Sequence, residues 1–260
     1  MKTRMFEGLL LGALLGIGAH PARAQQAGLP TIVLVHGAFA DASGWSEVIT
    51  RLQKRGYSVI AVQNALASLA SDVANTRRVI DAQPGNVVAV GHSYGGSVIS
   101  GAAAGSARVK ALVYIAAFGP EANESIASVG QKFAPPALAS SLVPDAAGFL
   151  SIDTAKFRDA FAADLSADRT RVLAATQKPI AAGAFEQSNP AAAWKTVPSW
   201  YLVARDDRSI NPDAQRFYAA RMKATTQEVD AAHLPFLSRP DAVVRMILAA
   251  AEASRTSNIR

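Results

Sequence analysis

Short runs of apolar residues alternate along the chain with segments of helical periodicity. The first run, residues 31–35 (TIVLV), is rich in β-branched residues and predicts a strand that is buried on both faces. Similar runs predict three more strands, at residues 57–62, 86–90 and 109–115. Two intervening segments place apolar residues at helical spacing, at residues 45–55 and 69–82. This alternation predicts an α/β protein with a doubly wound, mostly parallel sheet.

The alternation is interrupted between Gly119 and about Lys195. This stretch and its border contain prolines at positions 120, 135, 136, 144, 179, 190 and 198. Helical patches occur at residues 156–165 and 169–176, but no strong strand pattern does. We therefore expect an inserted, mostly helical cap over about residues 119–195. The core pattern then returns, with predicted strands at residues 199–204 and 225–229 and predicted helices at 212–222 and 241–253.

The first 24 residues have the pattern of a secretory signal peptide. Lys2 and Arg4 form a basic start, and residues 9–19 are apolar but too few to span a bilayer. Residues 22–24 form an Ala-x-Ala cleavage site, so we expect cleavage before Gln25. The mature chain, residues 25–260, would be exported to a bacterial periplasm or secreted, without a stable membrane anchor. The alternatives are an uncleaved anchor and a misassigned start codon.

Composition limits the classes of function that the chain can have. Half of the 260 residues are hydrophobic, so the chain can bury one large core. The formal net charge is +6, but the basic residues are scattered and not interleaved with aromatic residues, which argues against a nucleic-acid partner. The absence of cysteine excludes a disulfide scaffold, a thiol nucleophile and a cysteine-ligated metal. The oligomeric state is left open.

The most informative motif is Gly91-His92-Ser93-Tyr94-Gly95. It follows a valine-rich strand and precedes small residues that predict a helix, a context typical of a nucleophile elbow. In such a turn the serine adopts a strained backbone, and the two glycines are needed because a Cβ would collide with a neighbouring strand or helix. The alternative is a glycine-rich turn that binds phosphate, but the motif has neither a lysine nor the G-x-G-x-x-G spacing.

An activated serine requires a general base, and the chain has four histidines. His20 lies in the signal segment, and His36 is expected to shape a loop at the end of a strand. His92 adjoins the serine on a sharp turn, where neighbouring side chains point apart. The remaining histidine, His233, follows the last predicted strand and is the expected base, in the chain order Ser, Asp, His.

The acid that orients the base should lie between Ser93 and His233, at the carboxyl end of a strand. Asp206 and Asp207 both follow a predicted strand and meet this condition. Three other carboxylates are weaker candidates: Asp213 at a helix start, Asp230 too near His233 in the chain, and Glu121 after the preceding core strand.

Acyl transfer also requires two preorganised N–H donors for the developing oxyanion. One is expected from the residue after the nucleophile, Tyr94. The other is expected from the loop after the first strand, whose backbone is freed by Gly37, and Ala38 is favoured over Phe39. An ordinary turn is the alternative interpretation of His36-Gly37.

Four groups of residues together resemble those of α/β-hydrolase-fold serine hydrolases. They are residues 33–39 followed by Trp45, 91–96, 204–212, and 232–233 with 238–240 behind. The layout is most similar to that of small bacterial esterases and of plant methyl esterases and hydroxynitrile lyases. The resemblance implies that the acid stands just before Arg-x-Ile-x-Pro, residues 208–212, which favours Asp207 over Asp206. It implies little about the substrate, because the cap contains no motif that matches one.

The predicted chemistry is ester hydrolysis through an acyl-enzyme. Ser93 attacks the carbonyl carbon, His233 takes its proton, and Asp207 orients the imidazole. No metal or organic cofactor is required. The expected pocket has Phe39 at its floor and apolar cap residues in its wall, namely Phe133, Leu138, Leu142, Phe149 and Ile152, of which Leu142 and Phe149 are the main substrate contacts. Such a wall favours small to medium, uncharged ester substrates.

Two alternatives remain at this stage. The same fold and triad can support lyase, C–C hydrolase or perhydrolase chemistry. A lyase is expected to need an additional cation in the pocket, and the cap contains Lys132, Lys156 and Lys178. The second alternative is a non-catalytic binding protein on the same scaffold, which an intact set of Ser, Asp and His disfavours.

Overall fold

The computed structural model describes residues 28–256, and the predicted signal peptide at residues 1–24 lies outside them. The strands in chain order are β1 (Thr31–Val35), β2 (Val59–Val62), β3 (Val87–His92), β4 (Val109–Ile115), β5 (Leu142–Pro144), β6 (Phe149–Ile152), β7 (Ile180–Ala181), β8 (Ser199–Ala204) and β9 (Thr225–Val229). The α-helices are α1 (Ser46–Gln53), α2 (Leu69–Asp81), α3 (Tyr94–Ala102), α4 (Ile126–Gly130), α5 (Phe157–Phe161), α6 (Ala167–Ala175), α7 (Gly183–Glu186), α8 (Pro212–Arg221), α9 (Pro235–Ser238) and α10 (Pro240–Thr256). Short 3-10 turns occupy Ala42–Trp45, Ala137–Ser141 and Ala193–Lys195.

A six-stranded parallel sheet organises the core, in the order β2-β1-β3-β4-β8-β9. Every residue of β1 and β3 is buried, which explains their unbroken apolar runs, because a parallel sheet is covered on both faces. The prediction of a mostly parallel sheet is confirmed. Strand β3 continues two residues beyond the predicted strand, through Gly91 and His92, so it leads directly into the serine motif.

Helices cover both faces of this sheet. Helix α3 contacts β1, β3 and β4, and helix α10 contacts β3, β4 and β8. Helices α2 and α1 add to these two layers by packing against α3 and α10, respectively. The buried positions of α2 are Leu69, Asp72, Thr76 and Ile80, at the spacing of one helix face. None of the helices within residues 28–256 has both the length and the apolar composition needed to cross a bilayer.

The residues between β4 and β8 form the insertion, which holds α4 to α7 and a sheet that the sequence did not predict. Strands β5, β6 and β7 pair antiparallel in that order. The sequence showed no strong strand pattern here because strands of three, four and two residues are too short to show alternation. The turn before β6 is formed by residues typical of turns. Asp145 accepts N–H bonds from Ala147 and Phe149, and Gly148 has a φ of 81°.

The two ends of the insertion are joined to helix α8 by Arg221. Its guanidinium donates to the Gly119 carbonyl at 2.8 Å and to the Glu124 carboxylate at 2.7 Å. The same guanidinium lies 5.4 Å from the ring of Trp194, whose indole N–H donates to the Pro120 carbonyl at 3.2 Å. The insertion thus leaves the core after the carboxyl end of β4 and returns ahead of β8, and Arg221 links its first and last residues.

Candidate active site

Ser93 occupies a strained turn between β3 and α3. Its φ is 51° and its ψ is −123°, a conformation that persists only where the surroundings fix it. The carbonyl of Ser93 accepts N–H bonds from Gly96 at 2.9 Å and from Phe118 at 3.1 Å, and its own N–H donates to Ile115 at 3.3 Å. These bonds hold Ser93 at the amino end of α3, in the geometry that the elbow motif predicts.

The glycines of the motif are required by close backbone contacts. A Cβ placed on Gly91 would lie 2.5 Å from the Gly95 carbonyl oxygen, and one placed on Gly95 would lie 2.6 Å from the Val35 carbonyl oxygen. Neither neighbour can move without displacing β1 or α3. The expectation that both positions must be small is confirmed.

The structure brings Asp207 and His233 together. Asp207 follows β8 and His233 follows β9, and Asp207 Oδ2 lies 2.7 Å from His233 Nδ1, with both side chains buried. The other carboxylate oxygen accepts N–H bonds from Ser209 at 2.7 Å and from Ile210 at 3.0 Å. Because a carboxylate only accepts hydrogen bonds, Nδ1 carries the imidazole proton, and the lone pair of Nε2 is left to act as a base.

The other candidate acids lie elsewhere. Asp206 is exposed, and its backbone N–H donates to the Ala231 carbonyl at 3.1 Å. The remaining three form ion pairs, Asp213 with Arg216 at 2.9 Å, Asp230 with Arg205 at 2.6 Å, and Glu121 with Lys195. Of the carboxylates weighed from the sequence, the geometry therefore selects Asp207 as the partner of His233.

His36 shapes the loop after β1, as expected. Its Nε2 accepts the N–H of Asn64 at 3.1 Å, so its Nδ1 carries the proton and donates to the Gly37 carbonyl at 2.8 Å. Burial lowers the pKa of His36, which is the direction expected for an imidazole held neutral by these bonds.

His92 supports the loop that carries His233, a contact that the sequence gave no signal for. Its Nε2 donates to the His233 carbonyl at 2.8 Å, and the two ring centroids lie 4.7 Å apart. The Nδ1 atom of His92 has no partner within the described residues. Burial, and then the nearby His233, lower the pKa of His92 well below its usual range, so this ring stays neutral.

The backbone of the loop after β1 lies against Ser93. A Cβ on Gly37 would lie 2.8 Å from the Ser93 Cβ, so Gly37, whose carbonyl carbon is bonded to the Ala38 nitrogen, lies against the serine. Phe39 has a φ of 60°. Tyr94 begins helix α3, where a backbone N–H has no acceptor within the helix. These are the groups that the sequence proposed as oxyanion donors.

A cavity of about 370 Å³ lies between the cap and the core, and its wall includes Phe118, whose backbone N–H donates to the Ser93 carbonyl. Its wall is almost wholly apolar and includes Phe39, Phe118, Phe133, Leu138, Leu142 and Phe185. Four of these, Phe39, Phe133, Leu138 and Leu142, were among the lining residues expected from the sequence. A smaller cavity of about 40 Å³ lies on the other side of Phe39, next to Phe161 and Leu234.

Phe149 and Ile152 were expected in the pocket wall, and the structure places neither there. Both lie on β6, the middle strand of the cap sheet, where Phe149 pairs with Ala181 and Ile152 with Leu142. Ile152 is buried in the hydrophobic core. Neither is among the described residues that line the 370 Å³ cavity.

Within residues 28–256, no group of three or more His, Asp and Glu side chains is arranged to hold a metal ion.

Comparison with known proteins identifies the family. Residues 32–246 match the model described as alpha/beta hydrolase family. The chain is 30% identical over 251 residues to "Alpha/beta hydrolase nvfD" of Aspergillus novofumigatus, covering 85% of this chain and 96% of that protein. It is 26% identical over 263 residues to "Methylesterase 2" of Arabidopsis thaliana, covering 85% and 95%.

Among solved structures, a pyrethroid hydrolase from Sphingobium faniae superimposes with a TM-score of 0.72 at 20% identity, covering 86% of this chain and 98% of that one. The likeness confirms the fold. Together with the family match over most of its length, it means that this chain belongs to the alpha/beta hydrolase family and is a hydrolase of that class.

Proposed function

We propose that the protein hydrolyses carboxylic esters, with Ser93 as nucleophile, His233 as general base and Asp207 as the orienting acid. The observation that carries this proposal is the buried 2.7 Å contact between Asp207 Oδ2 and His233 Nδ1, in a chain whose elbow serine has a φ of 51°. The similarity to a methylesterase supports the choice of an ester as substrate.

The proposed reaction proceeds through an acyl-enzyme. Ser93 Oγ attacks the ester carbonyl carbon while His233 Nε2 takes the hydroxyl proton, and the N–H groups of Ala38 and Tyr94 stabilise the oxyanion. The C–O bond to the alcohol then breaks, and His233 gives its proton to the leaving oxygen. Water, deprotonated by the same imidazole, attacks the acyl-enzyme, and collapse of the second oxyanion releases the acid and restores the serine.

The cavity favours small to medium, uncharged and largely apolar ester substrates. Two polar side chains in its wall are already bonded to the protein, because Ser209 Oγ donates to the Ala160 carbonyl at 2.7 Å and Asn211 Nδ2 donates to the Ala134 carbonyl at 3.2 Å. A charged or strongly polar group would lose its water there without gaining a partner. We therefore assign the substrate's apolar portion to this cavity, with Phe39 and Leu142 in contact with it.

Hydrolysis is favoured over lyase chemistry by the directions of the three cap lysines. Lys132 pairs with Glu124 at 3.7 Å, Lys156 donates to the Ser140 carbonyl at 3.2 Å, and Lys178 donates to the Asn64 carbonyl. None of the three is among the described residues that line either cavity beside Phe39. A lyase mechanism would lack the additional cation that it is expected to need.

The proposal includes export of the mature chain, with a signal peptide at residues 1–24 and a substrate-selecting cap at about residues 119–195. The sequence pattern at the amino terminus supports export. The location of the cavity between cap and core supports a cap that selects the substrate. Amino-terminal sequencing of protein from the medium or periplasm should begin at Gln25. Finding Met1 intact there would contradict the cleavage.

A fluorophosphonate probe, which reacts with activated serines, tests the function. Ser93→Ala should abolish labelling and lower kcat for p-nitrophenyl esters by up to ~10⁶, because the members of a triad act as a unit. Its melting temperature should stay close to that of the unaltered protein, since no hydrogen bond within the described residues involves Ser93 Oγ. Ser97→Ala, in the same helix, is the matched control and should keep labelling. Activity of Ser93→Ala within about tenfold of the unaltered protein would exclude this nucleophile.

A further inference from the structure

A fully buried glutamine contacts the acid of the proposed triad. Gln215 lies in the first half of α8 and is 0% exposed. Its Nε2 donates to Asp207 Oδ2 at 2.7 Å, the same oxygen that lies 2.7 Å from His233 Nδ1. No sequence motif pointed to this residue, because a single glutamine in a helix is normally a solvated surface position.

The orientation of the amide is determined by its three partners. Gln215 Oε1 accepts the backbone N–H of Ala204 at 3.0 Å, and Nε2 donates to the Ile210 carbonyl at 3.2 Å as well as to Asp207. A backbone N–H can only donate, and a carbonyl and a carboxylate oxygen can only accept. Rotating the amide by 180° would break all three bonds, so the Nε2 donor is directed at Asp207 without ambiguity.

We propose that Gln215 is a positioning residue, which holds the Asp207 carboxylate in the orientation that His233 requires. The inference rests on the proposed function, since it assigns a role through the acid of that triad. Asp207 Oδ1 is held by the N–H groups of Ser209 and Ile210, so Gln215 completes the set by holding Oδ2. Without Gln215, the hydrogen bond from the His233 imidazole would be the one that still holds Oδ2.

The chemical consequence concerns both geometry and charge. The Asp207 side chain is fully buried, and a buried carboxylate is destabilised unless donors satisfy its lone pairs. Gln215 supplies the fourth donor without adding a charge and holds the carboxylate facing Nδ1. The imidazole then keeps the tautomer in which Nε2 can take the proton of Ser93.

Gln215→Met tests this role, because methionine has a similar length and no N–H donor. Turnover is measured per active site, with the active sites counted by fluorophosphonate labelling. We expect kcat to fall about 10- to 100-fold, the range for groups that orient a functional ligand without touching substrate. KM should stay within about twofold, because no substrate contact is lost. The downfield proton resonance of His233 Nδ1, assigned by its absence in His233→Ala, should shift or broaden.

Two further variants separate positioning from packing. Gln215→Glu keeps the acceptor for Ala204 N–H but places a second carboxyl against Asp207, so it should lose more activity per active site than Gln215→Met. Ala219→Gly lies one turn later on the same buried face and weakens the helix without touching Asp207. Its kcat per labelled site should stay within about twofold of that of the unaltered protein.

The outcomes are distinguishable. If Gln215→Met and Gln215→Glu lower only the fraction of labelled protein and leave kcat per labelled site and the His233 resonance unchanged, the glutamine is merely structural and the inference is wrong. That result would leave the proposed function intact, because the unaltered protein would still label at Ser93. Failure of the unaltered protein to label would overturn the proposed function, and this inference with it.

Discussion

Asp207→Asn should remove most of the esterase activity, whereas Asp206→Asn should not. Four donors converge on the Asp207 carboxylate: the N–H groups of Ser209 and Ile210 on one oxygen, and those of His233 and Gln215 on the other. Asparagine offers one acceptor oxygen, so its NH₂ group must face a pair of donors in either rotamer. Where the NH₂ group faces the imidazole, Nδ1 must accept a hydrogen bond and so cannot carry the proton. The proton then lies on Nε2, and His233 can no longer act as a base.

The expected loss follows from this tautomer change. In a serine hydrolase triad the same substitution lowers kcat by ~10⁴, which corresponds to about 5.4 kcal/mol of transition-state stabilisation. A second cost falls on folding, because two buried donors would face a third donor, and an unsatisfied buried group costs ~1–3 kcal/mol. Asp206 is exposed, so its substitution should change stability by less than about 0.5 kcal/mol.

The assay is p-nitrophenyl ester hydrolysis, expressed per site labelled by the fluorophosphonate and accompanied by a thermal melt. Labelling of Asp207→Asn is expected to be slow, so its active sites are counted after long incubation. If kcat of Asp207→Asn falls by less than about tenfold, the reasoning about the tautomer is refuted. A larger loss for Asp206→Asn than for Asp207→Asn would move the acid by one residue.

Two further predictions concern the pocket and the buried histidines. Leu142→Trp, which narrows the 370 Å³ cavity, should shift the ratio of kcat/KM between long and short acyl chains by roughly 10- to 200-fold, and Phe149→Ala, outside the wall, should not. An equal change for every ester would contradict a selecting role for the cap. Burial lowers the pKa of His36 and of His92 in the folded protein. Below about pH 6.5 the unfolded chain therefore binds more protons than the folded one. The free energy of unfolding that these neutral histidines contribute is complete above that pH and is lost as the pH falls. Urea unfolding between about pH 7.5 and 5 should lose up to ~1.4 kcal/mol per pH unit for each histidine, and His36→Asn should reduce this slope; a flat profile would exclude the effect.

The core could be predicted from the sequence because each element carries its own local pattern. A buried parallel strand needs an unbroken apolar run, and strands β1, β4 and β8 have the predicted bounds. The cap could not be predicted in the same way, because β5, β6 and β7 are stabilised by pairing between residues up to 32 positions apart rather than by a pattern within each strand. Phe149 was expected in the pocket wall, but it lies on β6 and is not among the described residues that line the cavity.

The residues of the candidate site also differ in whether the sequence alone could predict them. Ser93 could be found because the elbow needs a serine between two glycines. The glycines are needed because a Cβ on Gly91 or Gly95 would lie only 2.5 or 2.6 Å from a backbone oxygen. His233 could be found by elimination among four histidines. The two adjacent aspartates could not be separated by pattern alone, since both follow β8. The direction of the turn after β8 buries Asp207 beside His233 and leaves Asp206 exposed.

The sequence by itself determined the alternating sheet, the elbow serine and the short set of acids and bases from which a triad can be built. The tertiary structure alone decided which residues support that set, among them His92 on the His233 loop and Gln215 on Asp207. The reason is that a backbone turn has requirements that its own residues must meet, whereas a buried hydrogen bond depends on where distant segments meet. His92 and the His233 carbonyl are 141 positions apart in the chain, and only the packed core places them 2.8 Å from each other.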